Sequence, residues 1–357
     1  MNGGDGTFSY AKNSCYQREA VDAAKRMLTD AILEKFAMEG CFPFGCFSPT
    51  VRIADFGCSV GPNTFRAVEN IMEAIELKHK TTTEQNPKTL EFQVFFNDLS
   101  NNDFNTLFTT LPTSRRYFAA GVPGSFHAQL FPKATIHLAH SSYALHWLSR
   151  VPNEVVDRNS PIWNKGRVHY TGNAEMVAVY SDQFKRDMAA FLSSRAEEIV
   201  EGGLLLLLLP ACEDGVLPSE TCASLQFGLF GSCLVDMAKM GMINEEKVDD
   251  FNLPLYYTSP RELRDVIEAN GEFEMESMES FNPYVVEDLP DLPKLAKHFR
   301  AAVEGLLARH FGSQINVGEL FRRYVDKMAA NLGIFDFHKT SREFLIFACL
   351  KRKVPSD

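Results

Sequence analysis

Two acidic residues stand where apolar, strand-like runs end. Asp55 lies two residues before Gly57, and Asp98 follows a second apolar run. Small residues between Gly57 and Asn63 would let the backbone approach a ligand closely, with the N–H groups of a following helix pointing outward. A carboxylate at Asp98 could accept both hydroxyl protons of a ribose, and Asp55 could hold an ammonium group or backbone amides. These residues predict a nucleoside-type ligand, although either carboxylate could instead serve as a turn or helix cap.

The glycine spacing after the first run does not match a nicotinamide dinucleotide site. Three residues separate Gly57 from Gly61, and a proline follows. The dinucleotide motif needs G-x-G-x-x-G. An NAD-dependent reductase is therefore disfavoured, and the lack of an obvious Ser/His/Asp or Cys/His set argues against a hydrolase.

Segments of strand composition alternate with helical periodicity along much of the chain. The predicted strands cover 51–57, 90–96, 117–120, 136–140, 204–209, 273–278 and 344–350, and the predicted helices cover 64–77, 182–200 and 260–269. This alternation predicts an α/β fold with a doubly wound, mostly parallel sheet. Helical segments at 219–243, 292–307 and 317–332 predict a cap over the ligand edge. We expect a ligand-binding core at 1–211, a mainly helical cap interleaved with late core elements at 212–335, and a final core strand at 336–357.

Composition limits the partners of the chain. A formal net charge of -10 argues against nucleic acid and anionic membranes, because both require clustered Lys and Arg. The eight cysteines are scattered without a C-x-x-C pair or zinc spacing, so reduced thiols and no metal are expected. The longest apolar run, Leu204 to Leu209, is too short to span a bilayer, which makes the cytoplasm the default location.

A set of ordered motifs resembles the plant SABATH methyltransferases. They are the segments 9–18, 54–63, 96–98, 121–126 and 141–148, and the likeness continues through 164–167, 249–254 and 310–312. The resemblance implies a Rossmann-like methyltransferase fold with a seven-stranded sheet, S-adenosyl-L-methionine as methyl donor and S-adenosyl-L-homocysteine as product. It also implies a homodimer, by the habit of the family. Within the family, 13–18, 142–149 and 167–172 look most like members that methylate iridoid acids of the loganic type.

The resemblance also implies which residues form the two halves of the site. Leu99 and Phe126 would sandwich the adenine, and Gln17 and Trp147 would hold the carboxylate of the acceptor. The full donor set is Ser14, Asp55, Gly57, Asn63, Asp98, Leu99, Ser125 and Phe126. The full acceptor set is Tyr10, Gln17, Tyr143, His146, Trp147, Gln226, Phe227 and Phe299.

The chemistry implied is methyl transfer to a carboxylate, which is already ionised at neutral pH and needs no general base. Gln17 and Trp147 are neutral N–H donors that can orient one oxygen without quenching its nucleophilicity. His146 and Gln226 could recognise hydroxyl groups of the acceptor, whereas aromatic and terpenoid acids remain alternatives to an iridoid acid. Family members of the loganic type tend to carry His at the position of Gln226.

Two other functions remain open at this stage. N-methylation of a xanthine alkaloid is the first, and retention of Gln17 favours the acid over it. A catalytically silent ligand-binding protein on the same fold is the second. Asp249, Phe251 and Asn252 resemble a cation-contacting loop of some family members, but a structural role is the stronger interpretation, and no metal is predicted.

Overall fold

The computed structural model describes residues 1–37, 50–82, 89–171, 173–283, 289–336 and 343–354. Within these ranges seven strands form one sheet in the order β3-β2-β1-β4-β5-β7-β6. The strands are β1 Thr50–Phe56, β2 Glu91–Asp98, β3 Phe118–Pro123, β4 Ile136–Ser142, β5 Ile199–Ala211, β6 Phe273–Phe281 and β7 Phe344–Arg352. All seven strands predicted from the sequence are present, with boundaries that differ by a few residues.

The sheet is mostly parallel, as predicted. Strands β1 to β5 pair in parallel, and β7 lies antiparallel between β5 and β6. The strand order reverses at β1, which has β2 on one side and β4 on the other. In open α/β sheets, ligands bind at such a reversal, beyond the carboxyl ends of the strands. The topology therefore places a ligand crevice beyond Phe56 and Ser142.

Ten α-helices accompany the sheet in the described ranges. They are α1 Tyr10–Asn13, α2 Cys15–Lys35, α3 Pro62–Thr82, α4 Phe104–Thr109, α5 Ala174–Glu198, α6 Cys222–Lys239, α7 Glu245–Asp249, α8 Pro260–Asn270, α9 Leu292–Phe311 and α10 Val317–Ala330. Helices α2 and α3 cover one face of the sheet, and α5 and α8 cover the other. None of these helices is both long enough and apolar enough to cross a membrane.

The helix predicted at 182–200 is wrong at both boundaries. Helix α5 begins at Ala174, because the Asn173 side chain accepts a hydrogen bond from the Met176 N–H at 2.8 Å and so caps the helix. It ends at Glu198, since Ile199 is extended and already pairs with Ile136 of β4. Strand β5 therefore begins earlier than the predicted strand at 204–209, which covered only the leucine run.

Helices α6, α9 and α10 form a layer with an apolar core of its own. This third core cluster includes Phe230, Leu307 and Tyr324, each at most 1% exposed. Val168 also belongs to it, whereas α8 and β6 belong to the sheet. The division at 211 and 335 thus stays a prediction, and so does the role of this layer as a cap. Residues 337–342 and 355–357 of the predicted final segment lie outside the described residues.

Candidate functional site

The loop after β1 is a tight turn held by the neighbouring strand. The N–H groups of Gly57 and Cys58 both donate to the carbonyl oxygen of Asn97, each at 2.9 Å. Gly57 has a φ of +77°, and Ser59 has a φ of +53° although it carries a side chain. A Cβ on Gly57 would lie 2.3 Å from the Cβ of Ala144. Only glycine fits here, both because of its backbone conformation and because Ala144, in the segment that follows β4, comes so close.

We expect Gly57→Ala to lower the free energy of unfolding by about 2 kcal/mol, since it combines left-handed strain with overpacking against Ala144. Urea denaturation measures this directly. Gly305→Ala is the matched control, because Gly305 lies in α9 with nothing within 4 Å of an added Cβ. Equal stability of the two variants would contradict the prediction.

Asp98 ends β2 and closes this loop from the other side. One carboxylate oxygen accepts the Ser59 N–H at 2.7 Å, and the other accepts the Leu99 N–H at 2.7 Å. Burial raises the pKa of Asp98, and these two backbone donors oppose the rise. The carboxylate is thereby fixed in orientation, and each oxygen keeps a lone pair with which it can accept a ligand hydroxyl.

Asp55 is engaged more fully than the sequence suggested. It is buried, and its Oδ1 lies 2.7 Å from His140 Nδ1 while its Oδ2 accepts a short hydrogen bond from the Thr64 hydroxyl. His140 was not among the residues singled out from the sequence. It reaches Asp55 because the parallel register of β1 and β4 places the two residues side by side, and no motif spacing carries that information.

Asn63 ties the N-terminal helices to the loop. Its amide donates to the Ser14 carbonyl oxygen at 3.0 Å and to the Ser14 hydroxyl at 2.9 Å. Its Oδ1 is buried and has no hydrogen-bond partner in the described part of the chain. A Cβ on Gly61 would lie 2.9 Å from that of Ala11, so α1 packs directly on the loop. An orphaned acceptor at this position can bind a cationic ligand group.

The remaining predicted donor residues follow the ends of β2 and β3. Leu99 is 51% exposed, Ser125 is also exposed, and Phe126 is partly buried with its ring 5.9 Å from that of Phe191. Arg195 fixes this segment by donating to the Phe126 carbonyl oxygen at 2.8 Å. The exposed leucine and the held phenylalanine are thus available to an apolar, planar ligand group.

Aromatic rings connect most of the predicted acceptor residues. His146 stacks on Tyr257 at 5.9 Å, and Tyr257 stacks on Phe227 at 6.4 Å with an interplanar angle of 2°. Phe227 in turn contacts Phe299 at 5.4 Å, and Tyr143 meets His146 edge-on at 6.1 Å. We call His146, Tyr257, Phe227 and Phe299 the aromatic wall. Tyr257 was missed from the sequence, because only the folded chain brings it between His146 and Phe227.

Several polar groups among the acceptor residues lack partners. Gln17 Oε1 and His146 Nδ1 are buried without a hydrogen bond, and the Trp147 indole N–H makes none within the described ranges. Burial lowers the pKa of His146 to about 3, so the imidazole is neutral at physiological pH. Gln226 differs, since its amide donates to Cys222 Sγ at 3.2 Å. Gln17 is on α2, apart in sequence from Trp147, and Tyr10 is buried on α1.

Comparison with known proteins identifies the family of the chain. Residues 1–353 match the family of SAM-dependent carboxyl methyltransferases. The chain belongs to that family. Loganic acid O-methyltransferase of Catharanthus roseus is 47% identical over 356 residues, 99% of this chain and 94% of the relative. Paraxanthine methyltransferase 2 of Arabidopsis thaliana is 42% identical over 88% of each chain.

A solved structure of loganic acid methyltransferase with SAH superimposes on this carboxyl methyltransferase with a TM-score of 0.93, 45% sequence identity and 99% coverage of both chains. The SABATH resemblance, the seven-stranded methyltransferase fold and S-adenosylmethionine as the methyl donor are thereby confirmed. The glycine turn, the fixed Asp98 carboxylate and the orphaned Asn63 oxygen fit such a donor. The roles of individual residues stay predictions.

The Asp249–Asn252 loop of the methyltransferase makes contacts with other residues of the same chain. Asn252 Oδ1 accepts a hydrogen bond from Asn164 Nδ2 at 2.6 Å, and Phe251 packs in the core of the helical layer. Lys165 Nζ lies 4.0 Å from a carboxylate oxygen of Asp249. These contacts are typical of a structural loop. In the described ranges, no three His, Cys, Asp or Glu side chains cluster as a metal site would require.

Proposed function

We propose that this carboxyl methyltransferase forms the methyl ester of a small plant acid, with a loganic-type iridoid acid as the leading acceptor and an aromatic or terpenoid acid as the alternative. The observation that carries the proposal is the aromatic wall with unpartnered polar groups beside it. Apolar rings suit the hydrocarbon body of such an acid, while His146 Nδ1 offers a hydrogen bond to a hydroxyl or other heteroatom.

Gln17 and Trp147 position the acceptor carboxylate in this proposal. An ordinary carboxyl group has a pKa of about 4, so it is already a nucleophile at neutral pH. The donor supplies a methyl group bound to a sulfonium sulfur. The chain contributes orientation through two neutral N–H donors, and exclusion of water by the aromatic wall. Orientation alone is worth roughly 7 to 11 kcal/mol in well-aligned intramolecular systems.

The absence of a general base has a testable consequence. Burial lowers the pKa of His146 to about 3, and the acceptor carboxyl has also finished titrating near neutrality. With saturating donor, we expect kcat to stay flat between about pH 6 and pH 8. His146→Asn should lower the rate or shift acceptor preference while keeping the shape of the profile. An inflection near the ordinary histidine pKa that disappears in the variant would make His146 a base.

The geometry of the loops supports the proposed donor half of the site. In our proposal Asp98 accepts the ribose hydroxyls, and Leu99 and Phe126 hold the adenine with Ser125 at its edge. Ser14, Asn63 and Asp55 surround the amino-acid end, where the orphaned Asn63 oxygen faces the ammonium group. His140 acts as a positioning residue for Asp55. Gly57 lets the donor approach the backbone.

Three coarser expectations belong to the same proposal. The helical layer of α6, α9 and α10 caps the acceptor pocket and supplies Phe227 and Phe299. The protein is a cytoplasmic homodimer, and the six cysteines in the described residues are free thiols, as expected in a reducing compartment. Sedimentation equilibrium and the location of a fluorescent fusion test the last two points.

One assay separates the candidate functions. Purified protein is supplied with methyl-labelled S-adenosylmethionine and, in separate reactions, loganic-type, aromatic and terpenoid acids and a xanthine. Formation of a methyl ester from at least one acid, without methylation of the xanthine nitrogen, supports the proposal. N-methylxanthine as the main product would replace it with the alkaloid reaction, as one relative suggests. Binding of S-adenosylhomocysteine without any product would indicate a silent binding protein.

A further inference from the structure

A groove of about 380 Å³ lies between the 166–171 segment and one face of α6. Its floor contains two glycines of α6, Gly228 and Gly231, and the side chain of Val168. Phe227 lies at one end and connects the groove to the aromatic wall, but no other member of that wall lines it. The groove is therefore a separate concavity that borders the acceptor residues.

The charges of the groove are unbalanced. Among the described residues that line it, Asp236 is the only acidic one, and it forms an ion pair with Lys327 at 2.7 Å. Arg167 and Lys239 also line the groove, and neither side chain has a salt bridge or hydrogen bond to any of the described residues. Two cations without partners thus face one concavity, in a chain whose formal net charge is -10. Local positive potential of this kind attracts anions.

A buried polar side chain is an independent indication that the groove binds a ligand. His169 lines the groove and is 1% exposed, yet neither ring nitrogen makes a well-formed hydrogen bond to any residue that the structure describes. Burial lowers its pKa to about 3, and a contact with the Leu255 backbone opposes part of that shift. A neutral imidazole still offers one N–H donor. Buried polar groups are normally satisfied, so an orphaned ring beside a groove indicates a missing partner.

We infer that this groove is a second ligand site, distinct from the site of methyl transfer, that binds a small organic or inorganic anion. Arg167 and Lys239 supply charge-assisted hydrogen bonds from the rim, and His169 donates from the floor. Gly228 leaves room for the ligand to approach α6, because no atom lies within 4 Å of an added Cβ at that position. The inference does not depend on which acid is methylated, because none of these three polar residues belongs to the proposed acceptor set.

The test measures anion binding by calorimetry on the full chain saturated with S-adenosylhomocysteine, at constant ionic strength, with citrate, succinate and inorganic phosphate as probes. Saturable binding of at least one probe is expected, and its identity distinguishes a carboxylate from a phosphate ligand. Arg167→Gln combined with Lys239→Gln should weaken that binding about a hundredfold, because each charged contact is worth about tenfold or more.

Matched variants keep the result interpretable. Lys165→Gln removes a nearby surface cation that does not line the groove, so anion affinity should stay within about twofold. Gly228→Glu adds repulsive charge on the α6 face without a clash, whereas Gly305→Glu adds the same charge on α9. Only Gly228→Glu should weaken binding of the anion. S-Adenosylhomocysteine affinity confirms that each variant is folded.

Two outcomes would overturn the inference. One is the absence of saturable binding with all three probes, or equal affinity in the double variant and Lys165→Gln. The other is displacement of the bound anion by the methyl ester product, because the groove would then be the far end of the acceptor pocket rather than a second site. A missing methyl-transfer activity would leave the calorimetric result unaffected, so the two proposals fail separately.

Discussion

Gln17→Glu should reduce kcat/KM for the acceptor acid by about a hundredfold or more while S-adenosylhomocysteine binds normally. The substitution is isosteric, but it replaces an amide that can donate to the acceptor carboxylate with a second carboxylate. The lost hydrogen bond to a charged group costs about 1.5 to 3 kcal/mol, and like-charge repulsion in a buried site adds to it. Gln17 is buried, so water cannot relieve that repulsion.

The measurement is steady-state methyl-ester formation, with donor affinity determined separately by calorimetry. Gln314→Glu makes the same chemical change at an exposed position and should be silent. Raising the pH should not restore the variant, because the added carboxylate stays ionised. Unchanged kcat/KM in Gln17→Glu would remove Gln17 from the acceptor site and leave Trp147 as the sole candidate for carboxylate binding.

Asp98→Asn should weaken S-adenosylhomocysteine binding about a hundredfold. The native carboxylate accepts backbone N–H groups at 2.7 Å on each oxygen and, in our proposal, both ribose hydroxyls as well. An amide offers one acceptor oxygen, and its NH₂ group would face a backbone donor. Loss of charge-assisted hydrogen bonds on this scale corresponds to about 2.7 kcal/mol. Isothermal calorimetry measures the change.

Protonation of Asp98 should set the pH below which donor affinity falls. Burial raises the pKa of Asp98 above its ordinary value, so the carboxylate that accepts the hydroxyls is lost at a higher pH than for an exposed aspartate. Native affinity should therefore fall as the pH is lowered through that raised pKa, whereas Asp98→Asn should be weak at every pH. Asn105→Asp is a nearby control, because Asn105 is exposed on α4 and contacts neither Asp98 nor the Ser59 loop that holds it. A native affinity that is flat at acidic pH would contradict the role of Asp98.

The fold was largely predictable because its signals are local. The leucine run of β5 is at most 3% exposed, as expected of a central strand whose two faces are both covered. Helix α2 was overlooked, although its buried positions recur at helical spacing. They are Gln17, Ala20, Val21, Ala24, Leu28, Ala31 and Ile32, and the alanines among them make a weak apolar stripe.

The sequence by itself determined the family, the methyl donor and the positions of the seven strands along the chain, because motifs and periodicity are properties of neighbouring residues. Only the tertiary structure joined His140 to Asp55, placed Tyr257 between His146 and Phe227, and gathered Arg167, Lys239 and His169 around one groove. Apart from Arg167 and His169, which are two positions apart, these partners lie far apart along the chain. Their meeting depends on strand register and on the packing of α6 against a distant loop, neither of which any local pattern specifies.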